Sequence, residues 1–586
     1  MANYLCAIVP SDLLHDVCAL LDDDVVVMER GGTCVVLHPA EAADPDGMFI
    51  GHAIDHEARQ IKFASVAPQD RPKADDHAEG AFIRVAIEQR SGPFGARWPK
   101  RPSESRPTQL TIFSDLFGMV PRLYFATPTI FAVSDSMSLL CALRARLNLP
   151  NTPNEQALQA RLWTNSMATQ PLSCSMIVRD VTLAPPGSKV TVTARRGHLS
   201  CQLSAPALPD LFASPAASYE EQVAEGAVRA RDVIGTVARL PGARVSLDLS
   251  GGLDSRVCFA AAVAAGVEGS MSIGSGRASV RDLEIATRVA ETTDIRLNAG
   301  DPPGTKRPSY LSAGSRLAQW AAFNRGLYDS LYGPGRNLPT DLRFKIGGHG
   351  AEVIKGNYGW RPVRRIVSAV PTDVRDAVQA EMLAGLVQLG VPPHHRYGSE
   401  WHYLGYRNAI HSGRVTMSTL LGVRPLLQRR LAALAHAKKN PFRAPPKGAP
   451  SAVSDLLVAL SPSLAAMPFD EPRKDMTRAD VDARRARLPA LSPFEPYACL
   501  GVPAVQRPGP TQASQHVAVR SGFDGTMEST KTIRQLITRA LDSIPSSLRV
   551  AFEPTAELAR GIEEDSRPNS PEARASAKIF NLTLFE

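Results

Sequence analysis

The sequence predicts a mixed α+β chain in two parts: an all-β, sandwich-like layer followed by a parallel α/β domain. Three observations predict it. The chain has 586 residues, more than one hydrophobic core usually serves. Up to about residue 204, short apolar runs are separated by Gly, Pro and Asp clusters, the pattern of short strands joined by turns. From about residue 219, amphipathic stretches alternate with short apolar runs, the pattern of strands with crossover helices.

Taken in order, the first part (1–204) contains the runs 25–27, 34–37, 82–87 and 110–113, each rich in Val, Ile, Leu or Phe. Residues 205–218, APALPDLFASPAAS, are small and Pro-rich and predict a linker. In the second part (219–586), residues 220–240 predict an amphipathic helix and 244–249 a buried strand. An Ala/Val-rich helix is expected over 253–265, a strand over 271–273 and a helix over 282–292. Loops are expected over 439–451 and 502–513, and a polar, mobile stretch over 563–576.

Composition narrows the function. The chain is 44% apolar and 21% charged, which excludes wholesale disorder. It has no apolar run long enough for a bilayer and no basic, apolar leader, so a cytoplasmic protein without membrane contact is expected. Eight cysteines stand apart with no C-x-x-C pair, which suits core residues in a reducing compartment rather than a zinc site. The net charge of +8 is spread along the chain, with no Lys/Arg block interleaved with aromatics, so no nucleic-acid partner is expected.

The stretch RVSLDLSGGLDSR, 244–256, carries chemistry. A strand delivers the chain to a sheet edge, and Gly251 and Gly252 allow close backbone approach and positive φ where needed. The following helix N-terminus turns N–H groups toward an anion, and Ser250 and Ser255 add hydroxyls. Asp254 would repel a bare phosphate and makes sense if Mg²⁺ lies between them. The pattern lacks the Gly-Lys-Ser/Thr ending of a Walker A loop. A plain Gly-Gly turn is the alternative. A second stretch, FKIGGHGAEVIKGNY at 344–358, places His349 between glycines.

SGGLDS resembles the signature of the ATP pyrophosphatases that split ATP into AMP and pyrophosphate, and within them the asparagine-synthetase-like amide ligases. Ser272-Ile273-Gly274 resembles that family's adenine-contacting strand. GGHGAEVIKGNY resembles its S-G-E-G-A-D-E-L-F-G-G-Y loop, and Arg424-Pro425-Leu426-Leu427 its R-x-P-F-L-D segment, with Gln428 at the last position. Asp115 to Gly118, Pro121 to Tyr124 and Phe131 to Asp135 resemble its glutaminase domain. The resemblance implies an Ntn-type glutaminase-like β-sandwich over 1–204. It implies an adenine nucleotide α-hydrolase-like ATP-pyrophosphatase domain over 219–586. It places ATP on Leu249, Ser250, Gly251, Gly252, Asp254, Ser255, Ser272, Ile273, Gly274 and Gly348, and Mg²⁺ on Asp254 and Glu352.

Two departures refine the reading. Asparagine synthetases begin Met-Cys-Gly-Ile and use the freed cysteine and its α-amine to hydrolyse glutamine. Here the matching cysteine is Cys6, internal to the chain, so the amine is expected from elsewhere. In the second loop, asparagine synthetases carry Glu and β-lactam synthetases Tyr where this chain has His349; lasso-peptide cyclases carry His in G-H-G-G-D, the nearest resemblance. A His of ordinary pKa near 6.5 would match an α-amine of pKa about 8 as base or positioner, with a turn-filling His the alternative. Val353 replaces the family's second acid and Lys355 an aromatic. Lys474 is the candidate for the family lysine that stabilises charge on the α-phosphate, against a solvated charge run. Asp282 is either a helix-start acid or part of the site.

The resemblance thus implies an ATP-dependent lasso-peptide macrolactam cyclase. It would join an Asp or Glu side chain of a ribosomal precursor peptide to the peptide's N-terminal amine. A leader peptidase and a leader-binding protein would be its partners. A small-molecule amide ligase, of the ammonia-dependent asparagine synthetase or β-lactam synthetase type, and an inactive precursor-binding module stay open.

Overall fold

The computed structural model describes residues 3–30, 32–88, 108–276, 279–299, 317–332, 342–415, 421–443, 450–503, 511–526, 529–563 and 566–586. The fold is mixed α+β. Its first half holds two sheets packed face to face. The strand Leu5–Pro10 is central in the first sheet, pairing antiparallel with Thr33–His38 on one side and Phe131–Ser134 on the other. It is buried on both faces, which is why LCAIV reads as continuous apolar rather than alternating. Tyr4, Cys6 and Ile8 turn toward the second sheet, where they meet Met48, Ile50, Ile83, Val85 and Ile112. Leu5, Ala7 and Val9 turn the other way, into a core with the helix Met137–Arg146. Cys6 is therefore a fully buried core residue, and burial pushes its thiol up to about 12.

The second sheet runs His198–Ser204, Lys189–Arg195, Thr108–Ser114, Glu79–Glu88, Gly47–Asp55 and Gln60–Phe63, all antiparallel. Its last strand comes from far along the chain: Ala498–Leu500 pairs parallel with Gln60–Phe63. On its outer face Ile54, Ile61 and Phe63 join the core of the second half, where the Phe63 ring meets Phe344 edge-on at 6.3 Å.

The second half centres on a four-stranded parallel sheet in the order Ser272–Gly274, Arg244–Asp248, Arg343–Ile346, Leu421–Val423. The helices Tyr219–Ala238, Leu253–Ala264 and Ala452–Leu460 pack on it. The first of these starts at a capping box, in which Ser218 and Glu221 satisfy each other's backbone N–H groups. Each expected strand and helix between 219 and 292 is present to within two residues.

Two expectations need correction. Residues 205–218 do not run free: they contain the short helix Leu208–Leu211, and Leu208, Leu211 and Phe212 are buried, with Phe212 against Phe117 at 5.4 Å. Of the stretch 563–576, expected to be polar and mobile, residues 571–576 belong to the helix Pro571–Phe580, which buries Ala573, Ala577, Ile579 and Phe580, the Phe580 ring against Trp320 and Phe523. Burial runs all round its last turns, taking in Ser576 and Lys578, whose ammonium donates to the Trp163 carbonyl, so polar residues here do not mark an exposed stretch. Among the described residues no helix is long and apolar enough to cross a membrane.

Candidate functional site

All four parallel strands deliver loops to the same edge of their sheet, the side on which open α/β sheets bind ligands. The first loop follows Arg244–Asp248. The Leu249 N–H donates to the Gly274 carbonyl at 2.7 Å, tying this loop to the end of the neighbouring strand. Within the turn, the Ser255 hydroxyl accepts the Ser250 N–H at 2.9 Å and lies 2.8 Å from the Ser250 hydroxyl, and the Ser250 Oγ accepts the Gly252 N–H at 3.2 Å. The Gly251 N–H donates to Asp282 Oδ1 at 2.8 Å. Asp282 is thus part of the site as well as the first-turn acid of the helix Val280–Glu291.

The glycines act by closeness alone. Neither Gly251 nor Gly252 has positive φ, so of the two uses expected of them only close approach is made. A Cβ on Gly251 would lie 3.0 Å from Asp470 Cβ and 3.1 Å from Asp282 Oδ1. Positive φ belongs instead to Gly350, at +105°, which starts the short helix Ala351–Lys355.

The second loop is pressed against the first. A Cβ on Gly348 would lie 2.7 Å from both the carbonyl carbon and the oxygen of Asp254, and one on Gly347 2.6 Å from Arg424 Nη1. A Cβ on Gly350 would lie 2.7 Å from the Leu427 nitrogen. Three separate chain segments, 250–255, 347–352 and 424–428, therefore converge through the glycines that sequence reading singled out.

Within this convergence lie two carboxylates. Asp254 Oδ2 pairs with Lys355 Nζ at 2.5 Å, while its Oδ1 is buried with no hydrogen-bond partner. Glu352 accepts the Gly350 N–H at 3.1 Å. Burial first, then the charge of Asp254, raise the Glu352 carboxyl above its ordinary range. Two neighbouring carboxylates, one with an orphaned oxygen, fit a divalent cation. Among the described residues no third His, Cys, Asp or Glu completes the group. Val353, at the position of the missing acid, is buried in an apolar cluster.

His349 is half-buried, and its Nδ1 is buried without a partner. Burial, then the positive charge of Arg424, push its pKa down to about 3, with smaller effects from His411 and Lys345. This corrects the expected match between a His near 6.5 and an amine: the imidazole is neutral and weakly basic. Its ring centre lies 6.0 Å from that of His411, on the π-helical stretch Tyr403–Val415, and His411 Nδ1 is 2.9 Å from the Tyr328 hydroxyl.

Lys474 also reaches the first loop. Its ammonium bonds Asp470 Oδ1 at 3.1 Å and Glu471 Oε1 at 2.7 Å, and the Asp470 N–H donates to the Gly251 carbonyl at 3.1 Å. Burial lowers the Lys474 pKa, but the bonds to Glu471 and Asp470 outweigh it and hold the ammonium above its ordinary range. The segment before it is anchored by the buried Arg256, which donates to the carbonyls of Gly251, Leu464, Met467 and Pro468 and stacks on Phe469 at 3.8 Å.

Ser272, Ile273 and Gly274 form the edge strand beside this loop, with Ser272 exposed. Asn298, which sequence reading missed, fixes the strand's end: its backbone N–H donates to the Ile273 carbonyl at 2.9 Å and its Oδ1 accepts the Ser275 N–H at 2.8 Å. His411 and Tyr328 were missed as well; a lone His and a lone Tyr far apart in sequence carry no local pattern. The chain matches no family model and no curated protein.

Proposed function

We propose that the chain is an ATP-dependent, AMP-forming amide ligase that closes a macrolactam ring on a ribosomal peptide, as the lasso-peptide cyclases do. In this reading the N-terminal sandwich is a degenerate glutaminase-like domain and the parallel sheet an ATP-pyrophosphatase-like one. The observation that carries the reading is the contact of the two glycine loops, with Gly348 on the Asp254 backbone, which makes the anion cradle and His349 one wall.

A carboxylate oxygen of the peptide attacks the α-phosphorus of ATP. The bond to the β-phosphate oxygen breaks, giving acyl-adenylate and pyrophosphate. The neutral amine of the peptide then attacks the acyl carbon, the bond to AMP breaks, the nitrogen gives up one proton to the departing AMP phosphate or to water, and an isopeptide remains. Ser250, Ser255 and the N-terminus of the helix Leu253–Ala264 bind the leaving phosphates. Asp254 and Glu352 would hold Mg²⁺, which supplies positive charge against the pyrophosphate. Lys474 stands by the Gly251 turn and would turn from Asp470 and Glu471 to the α-phosphate. His349 is too weak a base to take a proton from an ammonium of pKa about 8. It acts as a positioner: neutral, with Nδ1 buried against Gly347, it forms a wall for the amine, which enters deprotonated.

The test is a mass spectrum. The protein is incubated with ATP, Mg²⁺ and a leader-free precursor peptide, and in parallel with aspartate and ammonia, while pyrophosphate release is followed. Loss of one water from the peptide, abolished in Asp254→Ala, is the expected result. Asparagine formation with an unchanged peptide would assign a small-molecule ligase. No ATP consumption with any acceptor would leave a binding module.

A further inference from the structure

The surface beyond the second loop carries charge the proposed chemistry does not use. Over 356–372, 391–399 and 436–443 the chain has seven Lys and Arg and no Asp or Glu; of the acids that flank these stretches, Glu400 is buried and taken up by the Asn357 and Trp360 N–H groups. The fold brings these three segments together around one tyrosine. Arg396 and Arg443 both lie over the Tyr397 ring, at 4.6 and 4.8 Å from its centre. Trp360 meets the same ring edge-on at 5.5 Å. Arg361 is tied to this corner by its backbone N–H on the Ser399 hydroxyl at 3.0 Å. None of Arg361, Arg396 and Arg443 has a carboxylate partner among the described residues, and the Nε–H groups of Arg361 and Arg443 are buried without any acceptor. Other arginines set into the fold are satisfied either by carboxylates, as Arg161 is by Asp329 and Arg484 by Asp455, or by several backbone carbonyls, as Arg84, Arg122 and Arg256 are.

Like charges gathered on one ring repel, and a fold that keeps them unmatched holds a ready binding surface for negative charge. The guanidinium fork is suited to carboxylates. We propose that the surface around Tyr397 docks an acidic peptide segment. Nucleobases are the less suitable ligand, because they need an open aromatic face. Here the Tyr397 ring is covered by two guanidiniums, His436 is stacked on Trp401 at 3.7 Å, and Trp360 and Trp401 are buried. The surface is also continuous with the candidate site: Trp360 Nε1 donates to the Lys355 carbonyl at 3.0 Å, and Lys355 is the partner of Asp254. A peptide held here would lie next to the glycine loops whichever reaction they serve.

The experiment is fluorescence anisotropy with a fluorescein-labelled hexaglutamate, a labelled hexaserine and a labelled dodecathymidylate, using the full chain at low salt. Hexaglutamate should bind and hexaserine should not. Arg396→Glu, at an exposed position, should weaken hexaglutamate about tenfold or more, and Arg443→Gln by a smaller factor. Raising salt from low to physiological strength should weaken it severalfold, because exposed charges are screened over about 8 Å there. An unchanged melting temperature for Arg396→Glu shows that the loss is local. Absence of hexaglutamate binding, or binding that ignores Arg396→Glu, overturns the proposal. Binding of the oligonucleotide that Arg396→Glu abolishes, with hexaglutamate inert, makes this a nucleic-acid surface instead.

Discussion

At the scale of single residues, the candidate site depends on two features that substitution separates. Gly348 leaves no room for a side chain, because both obstructing atoms belong to the Asp254 backbone and cannot rotate away. Gly348→Ala should therefore destabilise the protein by about 1–3 kcal/mol, as overpacking does, and abolish ATP turnover. Gly269→Ala, where a Cβ meets nothing within 4 Å, should do neither; paired thermal melts and pyrophosphate assays make the comparison. The second feature is the neutral imidazole. Since His349 is held down to about 3, it does not titrate near neutrality, and the rise of amide formation with pH should follow the amine at about 8. His349→Asn should slow amide formation by about 10²-fold, as mispositioning does, and leave ATP–pyrophosphate exchange nearly intact. An acid limb near pH 6.5 that vanishes in this variant would show His349 to be a base after all.

At the scale of elements, what was legible in the sequence was what is local. SGGLDS reads as strand, turn and helix because neighbouring residues make all three, and the strands 244–248 and 272–274 were visible from their apolar runs. Elements whose reason for existing lies elsewhere in the chain were misread. The stretch 205–218 is Pro-rich, yet Leu208 and Phe212 have a core to enter once Phe117 is in place. The helix Pro571–Phe580 looks polar until Trp320 and Phe523, from distant segments, supply the surface it covers. This gives a direct test. Phe580 is fully buried against both rings, so Phe580→Ala should cost about 3–5 kcal/mol. If 563–576 were a free tail, its neighbour Phe580 would tolerate alanine with no change in the urea midpoint.

At the scale of the whole molecule, packing has enclosed more histidine than a sequence of scattered single residues announces. Burial pushes His52, His402 and His411 down to about 4 and His349 and His436 to about 3, from an ordinary value near 6.5. Their contribution to stability is complete above pH 6.5. As pH falls below that value the unfolded chain takes up protons that the folded chain refuses, so stability is lost on the acid side. Buried carboxyls work in the opposite direction. Burial raises Asp115 to about 7 and also raises Glu352 and Glu400, so near pH 5 the folded state holds protons there that the unfolded state does not. His38, His77 and His395 are also held below their ordinary value by burial, so the histidines outnumber these carboxyls and stability rises with pH across this window, by about 1.4 kcal/mol per pH unit for each proton of the difference. Urea midpoints measured between pH 7.5 and 5 should therefore fall steeply below pH 6.5. A midpoint that stays flat across that window would mean that the histidines exchange protons freely in the folded protein, and that the neutral state assigned to His349 in the site does not hold in solution.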